Sequence, residues 1–223
     1  MIYILQIDTA TTNCSVAISK NGKTIALKEV SNGYSHAENL HVFVEEILKE
    51  SALSFSDLSA IAVSKGPGSY TGLRIGVSAV KGWSFALNIP LIALETLEVI
   101  AHQTDRNNGF VIPMIDARRM EAYTRVYDYN YNEVRSIEAQ VLDEDSFLSY
   151  LEKGEVVFIG NKTEKIQGLI KHENAIFIDS LPSAKEMSSL SYEKYNNNDF
   201  EDVAYFEPYY LKDFLVTPEK KKI

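Results

Sequence analysis

Twice along this chain a short apolar, β-branched run delivers an aspartate to a turn, and each time two further strand-like runs follow before helix and strand begin to alternate. The first run, Ile2 to Ile7, ends at Asp8, and the second, Val111 to Ile115, ends at Asp116. After Asp8 come Cys14 to Ile18 and Thr24 to Val30, joined by Asn21-Gly22, a dipeptide suited to the tight turn of a β-hairpin. Ser35 with Glu38 has the spacing of a capping box, and Leu40, Phe43, Val44, Ile47 and Leu48 recur at helical intervals behind it, so a helix is expected over 35–51. A strand (60–64), a glycine-rich loop, a helix to about Asn88, a strand (91–94) and a helix (95–103) complete the first half. The polar stretch "TDRNNG" at 104–109 separates it from the second. There strands are expected at 111–115, 122–127 and 134–141, then helix 145–151, strand 156–159, helix 163–170, strand 175–178 and a helix after Pro182. The chain therefore reads as an α/β protein of two halves, 1–105 and 106–223, with the same order of elements and no residue-level repeat.

Duplicated βββαβα half-domains, each opening on a strand that ends in aspartate, resemble the actin-like fold (sugar kinase/Hsp70-like ATPase, RNase H-like). The analogy concerns fold and not activity.

With 223 residues, 45% of them hydrophobic, the chain can bury a substantial core. Its net charge of −9 opposes tight nucleic-acid binding, which needs clustered cations; only Arg118-Arg119 and Lys220-Lys221-Lys222 come close, the latter reading as a solvated tail. Cys14 is the single cysteine, so an internal disulfide and a cysteine-rich zinc site are both excluded. No apolar run is long enough to span a membrane, and "MIYILQID" lacks the basic start of a signal peptide, so a cytoplasmic protein is expected.

"SKGPGSYTGLRIGV", residues 64–77, places Gly66, Pro67, Gly68, Ser69, Tyr70 and Thr71 between a strand and a helix start. Such a junction can hold an anion, since free amides and the positive end of the helix converge there. The loop has neither the Lys-Ser/Thr pair of a P-loop nor the spacing of a dinucleotide fingerprint, so a tight strand-to-helix turn is the simpler reading. On the helix, Leu73, Val77, Val80 and Leu87 form an apolar face with Trp83 at its edge, and Gly72, Gly76, Ala79, Gly82 and Ala86 lie beside it. Only Arg74, Ser78 and Lys81 are clearly polar, so the non-polar arc exceeds what packing on one sheet requires. A second helix must approach these small residues, from 35–51 of the same chain or from a partner. If the partner is the neighbour, Gly76→Leu should weaken pairing more than it unfolds the chain.

At this loop the sequence resembles a known family: "GPGSYTGLRIG" is similar to the signature of the TsaB (YeaZ) family, which usually has Phe where this chain has Tyr70. "DTATTNCSVAI" (8–18), "HAENL" (36–40), "DARRMEAY" (116–123) and "PYYLK" (208–212) also fall where that family has similar segments. The resemblance implies an actin-like fold and a part in making N6-threonylcarbamoyladenosine at position 37 of ANN-decoding tRNAs. It implies a non-catalytic partner of the catalytic homologue TsaD, with the ATPase TsaE joining and tRNA met through the complex. The pairing surface it implies is built by the helices near 35–51 and 71–88, placing Ala37, Leu40, His41, Val44, Leu48, Gly72, Ile75, Gly76, Ala79, Gly82, Trp83 and Ala86 at the interface. A homodimer through the same surface would not be surprising.

Chemistry within the chain itself is harder to find. A stand-alone ATP-dependent phosphotransferase needs aspartate-glycine phosphate loops in both halves, but Asp8-Thr9-Ala10-Thr11 has Ala at the position of close approach and Asp116-Ala117-Arg118 has no glycine. Asp8, Thr11, Asp116 and Arg118 therefore read as a degenerate nucleotide pocket without a cofactor, the aspartates capping turns. A metallopeptidase needs paired ligands; His36 and His41 are about 140° apart on a helix and read as surface residues, His102 stands alone after the fifth strand, and His172 reads as a loop residue. Ser69 has no nucleophile-elbow context, and Cys14 reads as a buried small hydrophobe. No residue is expected to be catalytic and no metal is expected.

Overall fold

The computed structural model describes residues 1–31, 35–117, 120–161 and 163–212. Arg118, Arg119 and Lys220–Lys222 lie outside the described residues. The first half contains β1 (Tyr3–Asp8), β2 (Cys14–Lys20), β3 (Lys23–Val30), α1 (His36–Glu50), β4 (Ala60–Gly66), α2 (Tyr70–Leu87), β5 (Leu91–Glu95) and α3 (Thr96–Ala101). The second contains β6 (Phe110–Asp116), β7 (Glu121–Asp128), β8 (Glu133–Val141), α4 (Leu148–Leu151), β9 (Val156–Gly160), α5 (Glu164–Gln167), β10 (Ala175–Asp179) and α6 (Met187–Asn196). Each half makes one five-stranded sheet, ordered β3-β2-β1-β4-β5 and β8-β7-β6-β9-β10. In both, the first three strands pair antiparallel and the last two add in parallel. This is the actin-like fold, duplicated. No helix among the described residues is long and apolar enough to cross a membrane.

Local chemistry explains most of the boundaries. Asn21 and Gly22 both take positive φ, +48° and +79°, as the β2–β3 hairpin turn requires. Asn88 closes α2 in the left-handed conformation, and Ser69 opens it, its Oγ accepting from the Gly72 amide at 3.3 Å. The capping box expected at Ser35 is not made by its side chain; Asn39 Nδ2 donates to Ser35 Oγ instead, at 2.7 Å. The capping box forms at Ser54, whose hydroxyl and backbone amide both meet Asp57 ahead of the single 3-10 turn at Phe55–Asp57. The outer helices of the second half are one turn each, shorter than the sequence pattern implied.

Period-two alternation gives each sheet two apolar faces. Leu5 and Ile7 of β1 face outward to Leu40, Val44 and Ile47 of α1 and Val77 and Val80 of α2. Ile4 faces inward with Ala62, Ile92 and Leu94, where Ala184, Met187 and Leu190 from the α6 region cover them. Leu97, Ile100 and Ala101 of α3 pack on Val111, Ile115, Val157 and Ile159 of the second sheet. Each half therefore lends its last helix to the other's sheet, and α3 and α6 form a shared middle layer. Phe158 and Ile112, on the far side of the second sheet, are closed by Phe147, Leu151 and Ile166.

Beyond α6 the chain returns to the first half. Glu201 bridges Leu91, Phe206 enters the core beneath α1 and α2, and Lys81 Nζ donates to the carbonyls of Ala204 (3.2 Å) and Phe206 (2.7 Å). The Tyr209 amide donates to the Lys65 carbonyl at 2.7 Å, and Arg74 Nε donates to the Tyr210 hydroxyl at 3.0 Å. The polar strip of α2 is thus the seat of the chain's own C-terminal segment.

Candidate functional site: an open helix face and a closed loop

The glycine loop is packed against the β1–β2 turn. A Cβ on Gly68 would lie 2.2 Å from the Ala10 carbonyl oxygen, and one on Gly72 would lie 2.1 Å from that of Thr9. The Ser69 amide donates to the Ala10 carbonyl at 2.6 Å, and Thr9 Oγ1 donates to the Gly72 carbonyl at 2.8 Å. Gly66, at φ +120° and followed by a cis peptide to Pro67, would place a Cβ 2.6 Å from the Tyr209 carbonyl oxygen. Backbone contact explains these glycines, since no side chain could be accommodated. Tyr70 and Tyr210 rings meet at 5.0 Å, with the Arg74 guanidinium 4.0 Å from the Tyr70 ring, so the C-terminal segment lies over the loop's outer side.

The residues of the degenerate pocket divide. Asp8 is fully buried, its Oδ1 accepting from the Ala10 amide at 3.0 Å, which is the expected turn cap. Burial pushes its pKa up to about 6 against the opposing hydrogen bonds from Ala10 and Ser64. The same burial, with Asp8 nearby, raises the Cys14 thiol to about 11, as befits an inert core cysteine. Thr11 is buried and presents its carbonyl to His36 Nε2 at 2.8 Å; a carbonyl can only accept, so Nε2 carries the hydrogen. His36 is therefore a buried histidine, 1% exposed, and not the surface residue the sequence implied; burial lowers its pKa. The signal for its burial was helical phase, which places Leu40 and Val44, four and eight residues on, on the same inward face. Asp116 forms an ion pair with Lys165 at 2.7 Å, and Arg118 lies outside the described residues. His172 accepts from the Asn174 amide at 3.2 Å, and His102 stacks on Tyr131 at 4.1 Å.

The two-helix face also divides. Leu40, Val44 and Leu48 are core residues of the chain's own first half, and Gly72 and Gly76 are buried under Thr9, a Cβ on Gly76 meeting Thr9 Oγ1 at 2.4 Å. These five do not lie on an open surface, which corrects their assignment to the pairing face. The stripe of small residues is too wide to share one neighbour: Gly76 and Gly82 are about 120° apart around the axis. Its far flank stays open. Gly82 has no atom within 4 Å of an added Cβ, Ala86 is exposed, and Ile75, Ala79 and Trp83 are half-buried. Ala37 and His41 of α1 are exposed alongside, His41 meeting Trp83 edge-on at 5.2 Å with Phe55 5.8 Å from the same indole. Phe85, which the sequence reading passed over, is 82% exposed on α2. Among the described residues this apolar strip, rimmed by aromatics, is left uncovered, and exposed apolar patches are where proteins tend to meet partners.

Two sheets of one topology share their central helices, the β1–β2 turn packs its carbonyls on the glycine loop, and one flank of the α1–α2 pair is left open: this is an actin-like chain. A family model described as TsaD, tRNA N6-adenosine threonylcarbamoyltransferase, matches residues 32–216. The tRNA threonylcarbamoyladenosine biosynthesis protein TsaB of Escherichia coli K12 is 32% identical over 220 residues, 94% of each chain. The protein of the same name from Bacillus subtilis 168 is 32% identical over 171 residues, 75% of each chain. The solved structure of YeaZ from Pseudomonas aeruginosa superposes with a TM-score of 0.80 at 27% identity, over 95% of this chain and 100% of that one. The near-full-length relatives decide between the two names: the chain belongs to the TsaB (YeaZ) family.

Proposed function

We propose that this chain is the non-catalytic subunit of the machinery that makes N6-threonylcarbamoyladenosine at position 37 of tRNA, pairing with and activating a catalytic TsaD homologue in the cytoplasm. The open strip of α1 and α2, comprising Ala37, His41, Ile75, Ala79, Gly82, Trp83 and Ala86, is the observation that carries this reading. Small side chains there let a partner helix approach closely, and Trp83 and Phe85 offer the large apolar area that dominates interface energetics. A TsaE-type ATPase joins the pair, tRNA is met through the complex, and the same strip supports a homodimer when the partner is absent. A stand-alone phosphotransferase is less well supported, because the Thr9 and Ala10 carbonyls beside Asp8 already pack against Gly72, Gly68 and the Ser69 amide of the glycine loop.

Ala86→Arg tests the reading at an exposed position where folding has little at stake. The variant should melt like the parent, lose co-purification with the TsaD homologue and fail to support tRNA modification when mixed with the remaining components. Undiminished pairing, or full modification in a mixture lacking this chain, would refute it.

A further inference from the structure

Away from the glycine loop, the two halves enclose a cleft of about 220 Å³ whose walls include Lys65, Glu95, Glu98, Arg125, Tyr127 and Lys194. The ends of β4 and β5 supply one wall and β7 the other. Arg125 reaches through its two Nη atoms to Glu95 and Glu133, while its buried Nε has no hydrogen-bond partner among the described residues. The Tyr127 hydroxyl is likewise buried and without a partner, in a residue only 3% exposed. Lys65 meets Glu95 at 3.9 Å, too long for a good hydrogen bond. Two buried donors without acceptors in one wall are costly, and native structures seldom leave such groups unmet.

Charge narrows what could meet them. Glu95, Glu98 and Glu133 would repel a polyphosphate, and Lys65, Arg125 and Lys194 would repel a bare polyamine. A molecule carrying both signs a few ångströms apart satisfies both sets. Size narrows it further: a cleft of about 220 Å³ lies below the usual range of pockets for drug-sized ligands.

We propose that this cleft binds a small α-amino acid, its carboxylate received by Lys65, the Tyr127 hydroxyl and Arg125 Nε, and its ammonium by Glu95 and Glu98. Burial raises the Glu98 pKa above the usual carboxylate range, and an ammonium beside the carboxylate would act against that shift by favouring the charged form. The site uses residues of this chain alone and does not depend on the pairing proposed above.

The test is calorimetric titration of the isolated full chain with each proteinogenic α-amino acid at millimolar concentration, with acetate, methylamine and inorganic phosphate as single-charge probes. At least one amino acid should bind one to one, and the single-charge probes should not. Tyr127→Phe, which removes a hydroxyl that has no partner, should melt no lower than the parent and lose affinity about tenfold, as expected for a lost charge-assisted hydrogen bond. Lys65→Met should do the same from the cleft's more exposed rim, and it decides the matter if Tyr127→Phe fails to fold. Absence of binding by every amino acid, equal binding of acetate or methylamine, or wild-type affinity in the variants would overturn the proposal.

Discussion

Gly76 and Gly82 sit six residues apart on one helix, and leucine at the two positions should have opposite consequences. At Gly76 the new Cβ starts 2.4 Å from Thr9 Oγ1, inside van der Waals contact, and Thr9 is fully buried and donates to the Gly72 carbonyl. The β1–β2 turn must move away from α2. Overpacking of this kind costs about 1–3 kcal/mol, and loss of the Thr9 hydrogen bond adds about 1. Replacing a mid-helix glycine returns about 1 kcal/mol, leaving a net loss of about 2 kcal/mol. For a chain of this length that is a fall in Tm of about 4–8 °C. At Gly82 nothing lies within 4 Å, so Leu should keep the helix-propensity gain of about 1 kcal/mol and melt about 2–4 °C higher. The side chain then stands on the open strip and should weaken partner pairing at least tenfold. Scanning calorimetry measures the first effect and sedimentation with the TsaD homologue the second. Melting of Gly76→Leu at the parent's temperature would show that the turn does not press on the helix, and unimpaired pairing by Gly82→Leu would remove α2 from the interface.

Asp8 predicts a pH effect with a definite sign. A carboxyl whose folded pKa, about 6, exceeds the ordinary aspartate value of 3.8 binds its proton more tightly when folded, so its stabilising contribution is complete at low pH and is lost as pH rises from about 4 to about 6. The loss amounts to roughly 3 kcal/mol. Asp8→Asn retains an oxygen for the Ala10 amide and should flatten the stability profile over that window relative to the parent in urea titrations; superimposable slopes would contradict the burial argument. A fragment ending at residue 105 lacks Ala184, Met187 and Leu190, which cover Ile4, Ile92 and Leu94, and exposes Leu97 and Ile100 of α3. It should show no cooperative unfolding transition, whereas a sharp one would mean that the first half is an independent folding unit.

The order of elements was legible because each strand is a β-branched run between turn formers, and because Asn21-Gly22 admits few alternatives to a tight hairpin. The contacts that make the site were not. A helical wheel fixes the direction of each α2 side chain but not what stands opposite it, so a small-residue stripe read as one surface is buried at Gly72 and Gly76 and open at Gly82 and Ala86. His36 was misplaced for the same reason: its phase with Leu40 and Val44 was present in the sequence, but its polarity argued for the surface until the Thr11 carbonyl appeared. Arg125, Tyr127 and Glu95 carry no motif, and β5 and β7 lie in different sheets, so only the packing of the two halves brings the end of β5 to β7. The return of residues 201–212 depends on contacts such as Lys81 to Phe206, 125 positions apart, which no local pattern encodes.

These contacts also account for a glycine loop that resembles a phosphate site while its neighbour lacks the glycine of a phosphate turn. Gly68 and Gly72 allow close approach of the chain itself, so the β1–β2 turn and the loop meet through the Ser69–Ala10 and Thr9–Gly72 hydrogen bonds. The first turns of α2 are thereby fastened on one side by Thr9 and Ala10 and on the other by Tyr210, while Tyr209 ties the same segment to Lys65 at the end of β4. A helix fixed in this way presents its remaining flank in one orientation. Less conformational entropy is then lost when a partner binds, and preorganisation of that kind strengthens association without adding a contact. If the open strip pairs as proposed above, the loop contributes through rigidity, because its glycines are taken up by contacts with the chain's own backbone.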